Sequence, residues 1–374
     1  MKVALIARAT LYTAKGGDTI QVINTAGSLV QLGITADIYL THQPIDYSRY
    51  DLLHFFNIIR PADILRHIQL SKKPFVVSPV LVDYSEYDRQ HRKGITGRLF
   101  KWLPGHRIEY IKCLARWITG KDKLVSKSYV WKGHQKSIRQ ILQRSAFVLP
   151  NSQCEYEQLV QQYGIAAAYI VVPYGVDTTV FNPHHDTVKT GNLILCVAQI
   201  EGRKNQFNLI QALNNTNYRL LLIGAPAASQ WNYYQRCVQA AASNVSFIDH
   251  IPQQQLAQYY QQAQVHVLPS WFETCGLSSL EAAAMGCSIV ITGKGYTRDY
   301  YADDAFYCDP ASPESIRLAV DKAAQSNGSA ELRQKILTQF TWQQAASRTA
   351  EAYIQVIQQY EATHRHYRNP GNTQ

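Results

Sequence analysis

The stretch that decides the fold runs from Pro269 to Cys287 and reads PSWFETCGLSSLEAAAMGC. The apolar run Val265-His266-Val267-Leu268 reads as a strand that enters Pro269-Ser270, crosses a turn of small residues and gives way to a helix stopped at Gly286. Strand, loop and helix start in that order present unpaired backbone N–H groups and the positive end of a helix dipole. Such a junction takes phosphate without a basic side chain. The stretch also carries two carboxylates, Glu273 before the helix and Glu281 in its early turns. Beside a phosphate site, carboxylates serve as acceptors for sugar hydroxyls. Glu281 has a plainer reading as well, because Ser278-x-x-Glu281 has the spacing of a capping box, and on this stretch alone the two weigh equally.

Two glutamates can also form the acid/base pair of a glycoside hydrolase, which holds its carboxyls roughly 5 to 9.5 Å apart. Eight residues of continuous helix would separate Glu273 and Glu281 by about 12 Å. That suits the two ends of an extended ligand, although a folded loop before the helix would shorten it.

Outward from this stretch, the 374 residues suit two domains. A hydrophobic content of 46% with 17% charged residues describes a folded globular chain. The seven cysteines are scattered, with no C-x-x-C and no metal-like histidine spacing, and read as free thiols in a reducing compartment. Met1 to Ala7 is apolar but meets Arg8, Lys15 and Gly16-Gly17 too soon for a signal peptide, so it reads as a first buried strand. No run approaches the 18 apolar residues of a membrane span. A cytoplasmic protein is expected, with any membrane contact made from the surface of the inner face.

Short apolar strands alternate with helical stretches through the N-terminal half, as a doubly wound parallel sheet requires. Strand one leads through Gly16-Gly17 into a helix whose apolar period is Ile20, Ile23, Ala26, Leu29 and Val30. Strands follow at 36–40, 51–56 and 74–78, then Ala146 to Ser152, with Ser152-x-x-Glu155 as a capping box and Gly164 as the helix stop. His54 falls near a strand's carboxyl end, where a lone histidine is more often structural than catalytic. Residues 89–144 hold fifteen Lys and Arg against two acids, while the whole chain carries a net +10, so the basicity is a local patch. Within it, 108–119 is amphipathic and flanked by Trp102 and Trp131, the pattern of an interfacial helix on anionic lipid or of a core helix with a solvated basic edge. No nucleic-acid-binding module accompanies the patch, and no nucleic acid is expected.

In the C-terminal half, Tyr169 to Asp177 with Phe181-Asn182-Pro183 is an aperiodic linker. Strands follow at 193–198, 219–224, 288–292 and 305–310, and Thr341-Trp342 opens a long helix to about His364. Arg203 and Lys204 are adjacent cations at a strand-to-helix turn. Cations there oppose the helix dipole, so a purely structural reason for them is wanting.

FETCGLSSLEAAAMG resembles the Glu-x7-Glu segment of glycosyltransferase family 4, the retaining nucleotide-sugar glycosyltransferases of GT-B fold with two Rossmann-like domains facing a central cleft. Arg203-Lys204, the linker and the strand ending at Gly224 fall in the family's order around it. By motif match the resemblance implies sugar-hydroxyl binding by Glu273, backbone contact of Thr274, Cys275, Gly276 and Leu277 with the donor diphosphate, and ribose binding by Glu281. It further implies diphosphate clamping by Arg203 and Lys204, approach of the Gly16-Gly17 loop to the sugar phosphate, and a nucleobase bordered by His250 and Ile251.

The implied domains are an acceptor-side unit over 1–170 with a basic insertion near 89–144, a nucleotide-sugar unit over 171–345, and a helix and tail over 346–374 that cross back to the first. The chain departs from the family after Ser78, where Pro79-Val80-Leu81-Val82-Asp83-Tyr84 offers no histidine; Asp83 or backbone carbonyls are the stand-ins available. The resemblance implies transfer from a UDP- or GDP-type nucleotide-sugar donor, with retention, to a glycan or lipid-linked glycan as in bacterial surface-polysaccharide assembly. No cofactor and no metal are expected, because cations and a helix N-terminus take the metal's place and no Asp-x-Asp motif occurs. A nucleotide-sugar epimerase of the same fold and a non-catalytic scaffold of a glycan pathway stay open as alternatives.

Overall fold

The computed structural model describes residues 1–14, 16–91, 128–182, 189–326 and 328–368. Most of the basic stretch and the whole 108–119 amphipath lie outside these residues. In chain order the elements are β1 (Lys2–Ala7), α1 (Gly17–Gln31), β2 (Thr35–Leu40), β3 (Leu52–Phe56), α2 (Pro61–Ser71), β4 (Phe75–Ser78), α3 (Ser85–His91), α4 (Ser128–Arg144), β5 (Phe147–Val148) and α5 (Gln153–Tyr163). Then follow β6 (Thr190–Val197), α6 (Gln206–Leu213), β7 (Arg219–Ile223), α7 (Trp231–Ala240), β8 (Val245–Ile248), α8 (Gln253–Gln262), β9 (Ala263–Leu268), α9 (Leu277–Ala284), β10 (Ser288–Thr292), α10 (Thr297–Tyr301), β11 (Phe306–Cys308), α11 (Pro313–Ala324), α12 (Ala330–Gln339) and α13 (Trp342–Arg368).

The chain divides into two compact units. The first takes residues 1–81, 93–173 and 342–374, so α13 belongs with the N-terminal half; the second takes 82–92 and 174–341. The assignment of 82–92 differs from the sequence reading, which places that segment in the N-terminal unit. Tyr84, Glu86 and Tyr87 pack on residues of the second unit, a tertiary preference that no local pattern announces.

In the first unit five parallel strands are ordered β2-β1-β3-β4-β5. Their near-continuous apolar sequences follow from burial on both faces; all of β3 and β4 is buried. Leu53, Phe55, Phe75 and Val77 pack with Ile64, Leu65, Ile138 and Ile141 in one core. The apolar period of α1 is split: Ala26 and Leu29 are buried, whereas Ile20, Ile23 and Val30 are exposed. The helix lies against β2 and α13, which turns Thr19, Val22 and Thr25 inward.

α5 is built as its sequence suggests, with Ser152 Oγ accepting from the Glu155 amide and Gly164 closing the helix in the left-handed region. The Glu155 carboxylate, however, reaches past the cap to accept from the amides of Leu81 and Asn151 and from Asn151 Nδ2. Burial still pushes it up to about 7. Val80, just before Leu81, stands at φ 50°, a costly conformation for a β-branched residue.

The second unit holds six parallel strands ordered β8-β7-β6-β9-β10-β11. Numbered from β6 this is 3-2-1-4-5-6, and the strand order reverses between β6 and β9. Ligands of open α/β sheets bind outside the carboxyl ends of the strands at such a reversal. Ile194, Cys196, Leu220, Leu222, Val265 and Val267 supply the sheet's part of the core.

Candidate functional site

Two loops leave the sheet at the reversal, 198–205 after β6 and 269–276 after β9, and backbone and amide hydrogen bonds stitch them together. Asn205, at φ 62°, ends the short 3-10 turn Gly202–Lys204 and starts α6. Its Nδ2 donates to the carbonyls of Pro269 (3.1 Å) and Pro310 (2.7 Å), and the Trp271 amide donates to the Arg203 carbonyl at 2.9 Å.

The Glu273 backbone is pinned from the other side: its amide donates to Lys294 O and its carbonyl accepts from the Tyr296 amide. Gly295 makes this approach possible. At φ +104° it is in the region that favours glycine, and a Cβ there would lie 2.0 Å from the Glu273 carbonyl oxygen.

On this frame sit two ion pairs. Lys204 Nζ donates to Glu273 Oε1 at 2.6 Å, and Arg203 donates to Glu201 Oε2 at 2.8 Å. The Glu273 side chain is 7% exposed and that of Lys204 23%, whereas Arg203 keeps 43%. Burial disfavours the charge on Lys204, but the Glu273 carboxylate, with smaller help from Glu201, outweighs it and holds the ammonium above its ordinary range. Arg203 is likewise held charged, against burial, chiefly by Glu201. Glu273 engages one of the three donors of Lys204, so the ammonium can bind a further acceptor. The structure thus brings Arg203, Lys204 and Glu273 into one cluster.

α9 begins right after this cluster. Its N-cap is Gly276, at φ 68° and with no side-chain cap, and a Cβ there would crowd Ile291 and Leu268 at 3.0 and 3.1 Å. Thr274 and Leu277 are half-buried, and Cys275 is buried. Tyr301 straps the turn by donating its hydroxyl to the Cys275 carbonyl at 2.8 Å. The first amides of α9 lack intrahelical acceptors by the nature of a helix start.

Glu281 is not a capping residue. The helix starts at Leu277, so Glu281 sits one turn inside it, half-buried, and Oε2 accepts from the Tyr260 hydroxyl at 3.2 Å. Burial pushes it up to about 8, opposed by that hydrogen bond. The chain between Glu273 and Leu277 is a turn and not a helix, so the 12 Å expected from continuous helix does not apply.

His250 and Ile251 follow β8, two strands from β6 on the same sheet edge; His250 is exposed, with its amide on Asp249 Oδ1. Gly16 and Gly17 lie in the first unit, where the Gly16 amide donates to Thr19 Oγ1 at 3.1 Å and Arg8 pairs with Asp18 at 2.5 Å.

Several neighbours were not legible beforehand. Glu201 fixes Arg203, and Lys294 pairs with Glu86 of α3 at 2.5 Å. His266 on β9 meets Ser279 Oγ of α9 at 3.2 Å, and burial holds it neutral, at about 3. Only the acidic and basic residue types hinted at them. Among the described residues no group of His, Cys, Asp and Glu could hold a metal ion, and no helix is long and apolar enough to cross a membrane.

Residues 177–339 match the family described as "Glycosyl transferases group 1". The chain is 26% identical over 255 residues to a D-inositol 3-phosphate glycosyltransferase of Arthrobacter sp. (strain FB24), a match that takes in 58% of this chain and 58% of that protein. The chain therefore spans well under two thirds of the length of that curated relative. Its fold is similar to sucrose-phosphate synthase from Thermosynechococcus elongatus, with TM-score 0.71, 16% identity and coverage of 95% and 99% of the two chains. It is also similar to Anabaena HepE in complex with UDP-glucose, with TM-score 0.60, 15% identity and coverage of 97% and 99%. Two Rossmann-like units of GT-B type make up the described fold, and residues 177–339, within the second of them, are similar to the glycosyl transferases of group 1.

Proposed function

We propose that the protein moves a sugar from a nucleotide-sugar donor to a glycan or lipid-linked glycan acceptor, with retention at the anomeric carbon. The observation that carries this reading is the cluster of Arg203, Lys204 and Glu273 where the strand order reverses, directly before the start of α9. In this reading the donor diphosphate lies against Arg203, Lys204 and the first amides of α9, Glu273 accepts from sugar hydroxyls, and Glu281 accepts from the ribose. HepE, bound to UDP-glucose, supports a donor of this class.

As the bond from the anomeric carbon to the phosphate oxygen breaks, negative charge grows on the leaving diphosphate. The two cations stabilise it more than they stabilise the intact donor, a transition-state effect. The acceptor hydroxyl forms the new bond on the same face and passes its proton to a phosphate oxygen. This route needs no histidine in the 79–84 segment and no metal ion.

The basic stretch near 89–144 is proposed to meet an anionic membrane surface at the inner face, in surface-polysaccharide assembly. Vesicles of anionic and of neutral lipid, sedimented with the protein, test that part; equal and negligible binding to both would end it. The donor reading is tested by calorimetric titration of UDP, GDP and their common sugar conjugates into wild type and Glu273→Ala. One nucleotide-sugar should bind wild type, weaken in the variant and slowly release nucleotide. Release of an altered nucleotide-sugar with no acceptor present would favour the epimerase, and no binding of any donor would favour the scaffold.

A further inference from the structure

We propose that Tyr84 is a positioning residue of the phosphate site: its ring is the seat that holds the Arg203 guanidinium ready for an anion. The inference rests on the donor reading for the identity of that anion, but the seat is read from geometry alone. Arg203 Cζ stands 4.6 Å from the Tyr84 ring centroid, a cation on an aromatic face. The same ring meets Phe272 at 6.0 Å, and Phe272 meets Tyr296 at 5.3 Å. Tyr296 is the residue whose amide holds the Glu273 carbonyl. One aromatic chain therefore ties the cation from the β6 loop to the carboxylate from the β9 loop.

The segment carrying Tyr84 is itself anchored at two further points. The Tyr87 phenol lies so close over Gly202 that a Cβ there would come within 2.0 Å of its oxygen, and its ring is 6.3 Å from Trp271. Glu86 pairs with Lys294 at 2.5 Å, and Lys294 in turn stands 5.4 Å over Trp271.

A seat of this kind answers a specific need. Arg203 is the most exposed of the four charged groups in the two ion pairs, and a free arginine side chain carries considerable rotamer entropy. Contact with the ring restrains the guanidinium before any anion arrives, so less freedom is lost on binding. The phenol does not cancel the charge it supports: burial holds Tyr84 in its neutral form, although Lys204 and Arg203 pull the other way. A tyrosinate here would compete with a phosphate for both cations.

The test uses the full chain, with UDP and GDP as probes and uridine and guanosine as phosphate-free controls, on wild type, Tyr84→Phe, Tyr84→Leu, Arg203→Ala and the Tyr84→Leu/Arg203→Ala double variant. Tyr84→Leu should weaken diphosphate binding about tenfold, the scale of a desolvated cation–aromatic contact, without changing nucleoside binding. Tyr84→Phe should restore it to within about twofold, and Tyr84→Leu should add nothing once Arg203 is gone. An equal defect in Phe and Leu, or full additivity in the double variant, overturns the seat.

The nitrogen-15 relaxation of Arg203 Nε, measured without any ligand, keeps the inference testable should no nucleotide bind. Its order parameter should fall in Tyr84→Leu and not in Tyr84→Phe, and no difference among the three proteins also overturns it. Loss of diphosphate binding in neither Arg203→Ala nor Lys204→Ala, with the relaxation result as expected, would overturn the donor reading and keep the seat.

Discussion

In the first unit, His54 on β3 lies between Tyr353 and Ser78, with ring nitrogens 2.7 and 2.9 Å from their hydroxyls, and stacks on Phe56. In the second, Lys204 and Glu273, on the loops after β6 and β9, form an ion pair 2.6 Å apart. Both arrangements bury titratable groups in parallel sheets of related topology. The first satisfies its polar group with neutral partners, and burial holds His54 near 3, uncharged across the physiological range. The second keeps two cations and two carboxylates in place against the cost of burial. Neutral and satisfied burial is what packing alone requires; sustained charge is expensive and points to a charged ligand.

The sharpest test of this contrast is Lys204→Ala. Removing one partner of a buried pair leaves Glu273 uncompensated, with an expected loss of stability of about 3 kcal/mol. If the cation acts on the leaving group, kcat/KM should fall by about 10²- to 10³-fold. Both are read by denaturant titration and by nucleotide release.

Acid sensitivity comes next. His54 and His266, near 3, and His67, near 4, are held neutral by burial. Each has its pKa lowered on folding, so the unfolded chain takes up its proton first, and stability falls as pH drops below about 6.5. Glu155 and Glu281, raised to about 7 and 8, act in the opposite sense, because the folded chain takes up their protons first between about 8 and 4.5. Between 6.5 and 4.5 the two carboxylates offset two of the three histidines, leaving a net loss of about 1.4 kcal/mol per pH unit. Below about 4.5 the histidines act alone, each adding a slope of about 1.4 kcal/mol per pH unit. Urea midpoints should rise slightly as pH falls from 8 to 6.5, decline gently to 4.5 and drop steeply below it; a decline from pH 6.5 already as steep as below 4.5 would contradict the assigned carboxylates.

His54→Ala should cost about 3 kcal/mol, through a cavity and two orphaned hydroxyls, while nucleotide affinity stays within about twofold. Nucleotide binding lost as fully as in Lys204→Ala would erase the distinction between the two regions. The smallest effect is expected of Tyr260→Phe, which removes the hydrogen bond to Glu281 at a cost of about 1 kcal/mol. If Glu281 also holds the ribose, affinity for UDP or GDP should shift with it, whereas inorganic pyrophosphate binding should not.

Much of this was legible from residue order. Strand positions followed from short apolar runs; β7 and β10 fall where Arg219 and Ser288 open such runs, whereas β8 lies in a segment that reads as a loop. The pairing of Ser152 with the Glu155 amide and the left-handed Gly164 followed from cap chemistry, which is local. The same logic failed at Ser278-x-x-Glu281, because the chain turns once more at Gly276 and the helix begins at Leu277, giving Glu281 a partner 21 residues away. It failed again at α1, where a helical period of Ile20, Ile23 and Val30 matches a core face in pattern but stands exposed. Period shows that a face exists, and only the neighbouring elements decide which face is covered.

The sequence by itself determined the alternation of strand and helix, the Glu-x7-Glu spacing and the residue types of the candidate site, since propensity, caps and spacing act over a few residues. Tertiary structure decided the rest. Strand order 3-2-1-4-5-6 brings Lys204 to Glu273 across 69 residues, Gly295 opens room for the Glu273 carbonyl, and residues 82–92 join the second unit with Tyr84 under Arg203. Those contacts depend on which chain segments share one side of a sheet, and a linear pattern does not carry that information.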